Sequence, residues 1–388
     1  MRFVGLRVSF VGTQFAPQFG QHRKTIAYIR VLTMKRRHFL AAAITTPSLS
    51  SSILHAATSG KKPLRVSAFG GFFQDEFESK ICQKFTRETG IPVVTISQGQ
   101  GDDWLFPLVR SVRGGLDPMD LTFLDEIGLT KIARMGNIVQ PLQMQEIPAA
   151  ARLNERYLFT SSDNTLGVGV MEWYQNIVIN PEAVTRPPTS WREIFEDDFY
   201  RKKIGLIGLY DGGMIEVVAK TYFDGNDTLK SRAGIRAVVE KIAELKDQVG
   251  FWWTAESQME QALRSQNVVA GSFFHDIAML LAAEHFPIAS VFPEEGSFTG
   301  INKLCIPYNS TRTVDAHRFI DFCSRADNQA VFARAMKLAP VLPNEEVGLS
   351  PSEFELVSTK IPPVQPAAAV MVEQADYLQR LWQRMITR

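Results

Sequence analysis

A six-residue apolar run, LRVSAF (Leu64 to Phe69), stops at Gly70-Gly71. Phe73, Phe77, Ile81 and Phe85 follow at once, one apolar residue at every fourth position. A run of that length reads as a strand and that spacing as one face of a helix. Asp75, Glu76 and Glu78 occupy the first turns of the helix, where negative charge is favoured, and Thr89-Gly90 supplies the stop. Ile91 to Ser97 is the next strand. The pattern then repeats: a helix over 105–113, a strand over 120–124 and a helix over 127–135. Such alternation dictates α/β construction. About 330 residues follow the leader described below, more than one hydrophobic core usually takes, so two lobes are expected.

The later chain keeps the same grammar. Gly167 to Asn180 (GVGVMEWYQNIVIN) is a long extended stretch, and Thr189 or Ser190 caps a helix that begins at Trp191. A second strand-and-helix set covers 203–292, with helices over 231–247 and 256–266, the latter capped by Thr254. Asn302 to Pro307 is extended again, and a helix follows over 315–323. After the proline-spaced IPPVQP, Leu378, Leu381, Trp382 and Met385 form the apolar face of a terminal helix.

The first 74 residues contain no acid, while Arg2, Arg7, Arg23, Lys24, Arg30, Lys35, Arg36 and Arg37 are basic. Met34 opens a three-part leader. Lys35-Arg36-Arg37 is its cationic start, Phe39 to Leu54 a modest apolar stretch, and Ala56 and Ala57 the small residues of a cleavage site. Arg36-Arg37-His38-Phe39-Leu40 has the form of a twin-arginine export signal. Residues 1–33 are then a misassigned extension, 34–57 a cleaved signal, and the product a periplasmic protein.

Over the whole chain 42 basic residues stand against 41 acidic ones; without the leader the balance is about −7. An acidic exported chain does not suit nucleic acid, whose phosphates need Lys and Arg. No stretch reaches the roughly 18 consecutive apolar residues of a membrane span. Cys82, Cys305 and Cys323 lack metal spacing. They allow one disulfide with a thiol left over, or three small buried apolar residues, the reading preferred here. HExxH, CxxC, GxSxG and phosphate-loop patterns are missing, so no metal, cofactor or catalytic group is expected.

In order and spacing, LRVSAFGGFFQDEFESKICQKFTRETGIPV, DLTFLDEIGLTKIARMGNIVQPL, RPPTSWREIFEDDFYRKKIGLI, FPEEGSFTGINKLCIP and AHRFIDFCSRADNQAVFAR resemble the extracellular solute-binding proteins of spermidine/putrescine-type ABC transporters. The resemblance covers nearly all of the chain past the leader. It implies a two-lobe α/β fold of the periplasmic-binding-protein type (type II), each lobe a sheet flanked by helices, with a ligand cleft between them. Lobe 1 would comprise 62–166 and 305–388 and lobe 2 167–304, with crossings near 167–180 and 297–307. It also implies a monomer that hands a polyamine-like ligand to a permease in the inner membrane, without chemistry of its own.

The same likeness places Phe274 where polyamine binders carry a tryptophan, and Asp276 where they carry an acid that pairs with an amine. A carboxylate holds an ammonium by charge-assisted hydrogen bonds, and a ring face adds about 0.5–2 kcal/mol. Asp276 reads equally as a helix cap. Of Trp252 and Trp253, which face opposite ways on a strand, Trp253 is expected to wall the cleft. Trp173 and Glu172 lie beside the first crossing and read as an aromatic wall with an acid, or as core. Asp211 in LYDGG is a ligand acid or a cap. Asp125, at the end of DLTFL, is a cleft acid or a helix start. Gly71 lies at a turn whose free backbone N–H groups favour an anion, so an anionic or zwitterionic solute such as an aminophosphonate or thiamine-like compound is the alternative. Phe72 beside it stands where, by the resemblance, the aromatic turn of polyamine binders lines the cleft and flanks a hydrocarbon stem. An exported enzyme on the same scaffold is the alternative of another class.

Overall fold

The computed structural model describes residues 62–386, so the leader, its start at Met34 and its cleavage near Ala56 and Ala57 lie outside the described residues. β1 (Leu64–Phe69) pairs in parallel with β2 (Val93–Gln98), Leu64 opposite Val93 and Phe69 opposite Gln98. Between them α1 runs over 72–89, with a π-helical middle at Phe77–Cys82. Its four-residue spacing buries Phe77, Ile81 and Phe85. Phe73 stacks on Phe77 at 5.5 Å, and Phe85 meets Phe319 edge-on at 4.9 Å. Gly90 ends the helix at φ 68°, a left-handed conformation that glycine adopts without strain.

α2 (Gly101–Arg113) starts earlier than expected, with Asp102 and Asp103 in its first turn. β3 (Thr122–Leu124) is held beside β1: the Ser67 amide donates to the Leu121 carbonyl at 2.9 Å, and the Leu121 amide to that of Arg65 at 3.1 Å. α3 (Glu126–Met135) begins at Asp125. β4 (Leu158–Ser161) and β5 (Asn164–Ile179) form a hairpin. Its two turn residues, Ser162 and Asp163, have φ of 48° and 62°, the left-handed pair that matches strand twist.

The second set contains α4 (Trp191–Glu196), β6 (Ile204–Ile207), α5 (Met214–Tyr222), α6 (Arg232–Glu244), β7 (Val249–Trp253), α7 (Glu256–Arg264), β8 (Ala270–Phe274), α8 (His275–Ala283) and β9 (Ala289–Val291). Ser190 caps α4, its hydroxyl accepting from the Arg192 amide at 3.0 Å. Ala255, not Thr254, holds the cap position of α7, and the Gln258 side chain folds back to accept from the Thr254 amide at 2.8 Å. β10 (Phe298–Cys305) then returns, followed by α9 (Thr313–Ser324), α10 (Ala326–Met336), α11 (Ala368–Glu373) and α12 (Ala375–Met385).

The main sheet runs β3-β10-β5-β8-β6-β7, with β4 and β9 also on β5. β5 and β10 are antiparallel, with an irregularity between Asn302 and Lys303, and both carry side chains into each of the three apolar clusters, chiefly two of them. Val168, Val170 and Leu304 pack with α1, α9 and α10 in one core. Ile177, Val178, Ile179 and Phe298 pack with the second strand-and-helix set in the other. The stretches expected as crossings near 167–180 and 297–307 thus hold strands whose residues contribute to both cores.

The expected assignment of 305–388 to lobe 1 fails at its C-terminal end. Val357 still packs in the lobe 1 core, but Val364, Met371, Leu378, Leu381 and Trp382 belong to that of lobe 2. The chain thus passes from one core to the other between 357 and 364, where Val364 bridges Phe298. The cause is the apolar stripe of α12, which covers lobe 2. Trp382 meets Trp252 edge-on at 6.0 Å, and its indole N–H donates to the Gly208 carbonyl at 2.8 Å. Each fully buried side chain on that stripe contributes about 2 kcal/mol.

Cys82, Cys305 and Cys323 are free and buried, and burial raises the pKa of all three thiols. No group of three metal-type ligands occurs among the described residues. None of their helices is long and apolar enough to cross a membrane.

Candidate ligand-binding site

Loops after parallel strands in α/β sheets gather at one end, where ligands of such folds lie. Here these loops bring polar groups from both lobes together. Gln100, after β2, donates to Glu256 at the start of α7 at 2.9 Å, which ties the lobes together. Asp211, after β6, is pushed up by burial; Lys131 opposes that shift, while Asp102 and Asp125 reinforce it. Asp102 and Lys131 lie on α2 and α3, and Asp125 is the cap of α3. Lys131 is already engaged by Asp102 at 2.6 Å. The facing groups are therefore mainly acidic, a field that favours a cation.

Asp276 lies in the first turn of α8, two residues past the end of β8. Its Oδ1 is buried and has no hydrogen-bond partner. Burial pushes its carboxyl up to about 7, Glu256 adds to the rise, and the amides of Asp276 and Ile277 oppose it. Phe274 caps the helix position without a side-chain hydrogen bond. It stands edge-on to Trp173 at 5.3 Å and to Trp253 at 6.0 Å. Trp173 also touches Phe298 at 6.1 Å and packs against both cores. Gly300 makes this layer possible, since a Cβ there would stand 2.1 Å from the Trp173 ring.

A second acid escaped the sequence reading. Glu216 in α5 is 1% exposed, accepts from the Ala367 amide at 3.0 Å, and leaves Oε2 buried without a partner. Burial pushes it up to about 7, and Asp211 is among the groups that raise it. Gly213, which precedes this helix, lies against the Phe298 ring. The signal was present: Glu216 is the one charged residue in the otherwise apolar run MIEVVA.

The remaining expected residues divide. Trp253 does not wall the cleft: it is 1% exposed, and its indole N–H donates to the Ser272 carbonyl at 3.1 Å. Trp252 is the half-buried member of the pair. Glu172 is not free for a ligand. It is 2% exposed and bound by Arg156, by the Tyr157 hydroxyl at 2.9 Å and by the Thr299 hydroxyl at 2.7 Å. Asp125 caps α3, accepting from the Gly128 amide at 2.6 Å, and burial raises its pKa. Asp211 is not the cap of α5, whose cap position is Gly213. Gly71 has φ 80°, and Phe72 beside it is 49% exposed. Neither of two cavities, about 500 and 390 Å³, is lined by Asp276.

Comparison with known proteins follows the same lines. Residues 80–352 match the family of bacterial extracellular solute-binding proteins. The gamma-aminobutyric acid-binding protein of Pseudomonas aeruginosa is 25% identical over 85% of this chain and 91% of its own length. The spermidine/putrescine-binding periplasmic protein 1 of Haemophilus influenzae is 21% identical over 62% of this chain, and the match spans 66% of that protein. In structure, a spermidine/putrescine ABC transporter substrate-binding protein of Streptococcus pneumoniae superimposes with a TM-score of 0.63 at 17% identity, over 82% of this chain and all of the other. The expected type II binding-protein fold is thereby shown, and the chain belongs to the bacterial extracellular solute-binding protein family.

Proposed function

We propose that the chain is the substrate-capturing component of an ABC importer, which takes up a small amine in the periplasm as a monomer and passes it to an inner-membrane permease. The observation that carries the amine reading is the buried, unpartnered Oδ1 of Asp276, two residues beyond Phe274, whose ring stands edge-on to Trp173. A buried carboxylate without a counter-charge is expensive, and an incoming ammonium removes that cost. The orphaned Oε2 of Glu216 supports a ligand with more than one donor group. Binding alone suffices for such a role, because the ligand favours the conformation in which both lobes touch it. Polyamines meet these requirements.

A second reading, an ω-amino acid, is favoured by the relative matched over 85% of this chain, the gamma-aminobutyric acid-binding protein. Both readings place an ammonium at Asp276. A thermal-shift panel of putrescine, spermidine, γ-aminobutyrate and aminoethylphosphonate tests them, since ligand at 100 times its Kd adds about 2.7 kcal/mol of stability. Stabilisation by amines that Asp276→Asn abolishes supports the proposal. A phosphonate response unaffected by that change refutes it, and turnover of any of the four compounds revives the enzyme alternative.

A further inference from the structure

The geometry points to a second binding site, for a small carboxylate, in a cavity on the face of β5 and β10 opposite the Trp173, Phe298 and Phe274 rings. Partners directly across an antiparallel ladder point to the same side of the sheet, and neighbours along a strand point to opposite sides. Glu172 lies opposite Ile301, Tyr174 opposite Thr299, and Trp173 opposite Gly300. Glu172, Thr299 and Ile301 therefore share one face. Trp173 and Phe298 share the other, where Phe274 joins them across Gln175. The cavity of about 500 Å³ lies on the first face, with Glu126, Arg156, Thr299, Ile301, Lys303 and Gln365 in its wall.

Its donors outnumber the acceptors they meet. Arg156 gives one N–H to Glu172 and stacks 4.7 Å from the centre of the Tyr157 ring, but its Nε is buried without a partner. The Lys303 side chain is 1% exposed and carries three donors, and its one hydrogen-bond acceptor among the described residues is Glu126 at 2.6 Å. A guanidinium and an ammonium in the wall of one cavity suit a carboxylate, which accepts from such donors. Glu126 and the exposed Glu155 in the same wall disfavour a second negative charge on the guest. The guest is thus a monocarboxylate, either plain or carrying its own ammonium as an amino acid does.

Calorimetric titration of the protein with sodium butyrate and with alanine, against sodium chloride at equal ionic strength, tests this site. Saturable binding of either is expected, weakened at least tenfold by Arg156→Lys and unchanged in Asp276→Asn. Arg156→Lys keeps the positive charge facing Glu172, and Lys303→Gln probes the other cation should that variant fail to fold. Butyrate binding marks a plain carboxylate, and preference for alanine marks an ammonium contact at the acidic wall. No saturable binding of either compound means a water-filled cavity and overturns the inference. Binding lost in Asp276→Asn but kept in Arg156→Lys also overturns it, because the carboxylate then depends on Asp276 and not on this cavity.

Discussion

Glu216→Gln changes one oxygen to an amide nitrogen in a fully buried side chain. The Ala367 amide keeps its acceptor, so packing and the hydrogen bond survive while the charge disappears. Burial raises the native carboxyl from 4.5 to about 7, so between these values the folded protein holds a proton that the unfolded chain has released. Stability therefore falls as pH rises through this window, by about 1.4 kcal/mol per pH unit. The contribution is fully present below about pH 4.5 and lost above about pH 7, a total of about 3 kcal/mol for this group. The glutamine does not titrate. Urea denaturation of ligand-free protein at pH 5, 6, 7 and 8 should show the variant gaining on the wild type at each step, by about 3 kcal/mol at pH 8. A difference that does not change with pH, or a variant less stable at pH 8, would mean that the carboxylate has a partner and refute the reasoning.

Gly300→Ala forces a Cβ into the Trp173 ring, and a loss of about 2 kcal/mol is expected, with a shift in tryptophan emission; unchanged stability would place the ring elsewhere. Removing residues 368–388 strips Leu378, Leu381 and Trp382 from lobe 2, so hydrogen exchange should accelerate in β6 and β7 while β1 and β2 stay protected. The reverse pattern would return the C-terminus to lobe 1. Trp382→Phe deletes the hydrogen bond to Gly208 and should lower stability by about 1–2 kcal/mol in thermal unfolding.

Local patterns carried most of the fold. The apolar spacing of Phe73, Phe77, Ile81 and Phe85, the stop at Gly90 and the cap at Ser190 each depend on residues a few positions apart. The extended state of β5 was legible in GVGVMEWYQNIVIN, but a place as a crossing between lobes was implied only by the resemblance. Long-range facts were not legible. The stripe on α12 announces that something covers it, but not which core. Adjacent tryptophans must face opposite ways, yet nothing local says that Trp253 is the inward one. Glu172 looked available because Thr299, which binds it, lies 127 residues away. Glu216 was passed over because a lone acid on an apolar helix face resembles noise until the orphaned oxygen is located.

A crystal structure with whichever amine stabilises the protein most tests the central claim directly. The ammonium nitrogen should lie within about 3 Å of Asp276 Oδ1, with its alkyl chain against Phe274 and Trp173. An amine bound away from these rings, with Oδ1 still unpartnered, would contradict the account.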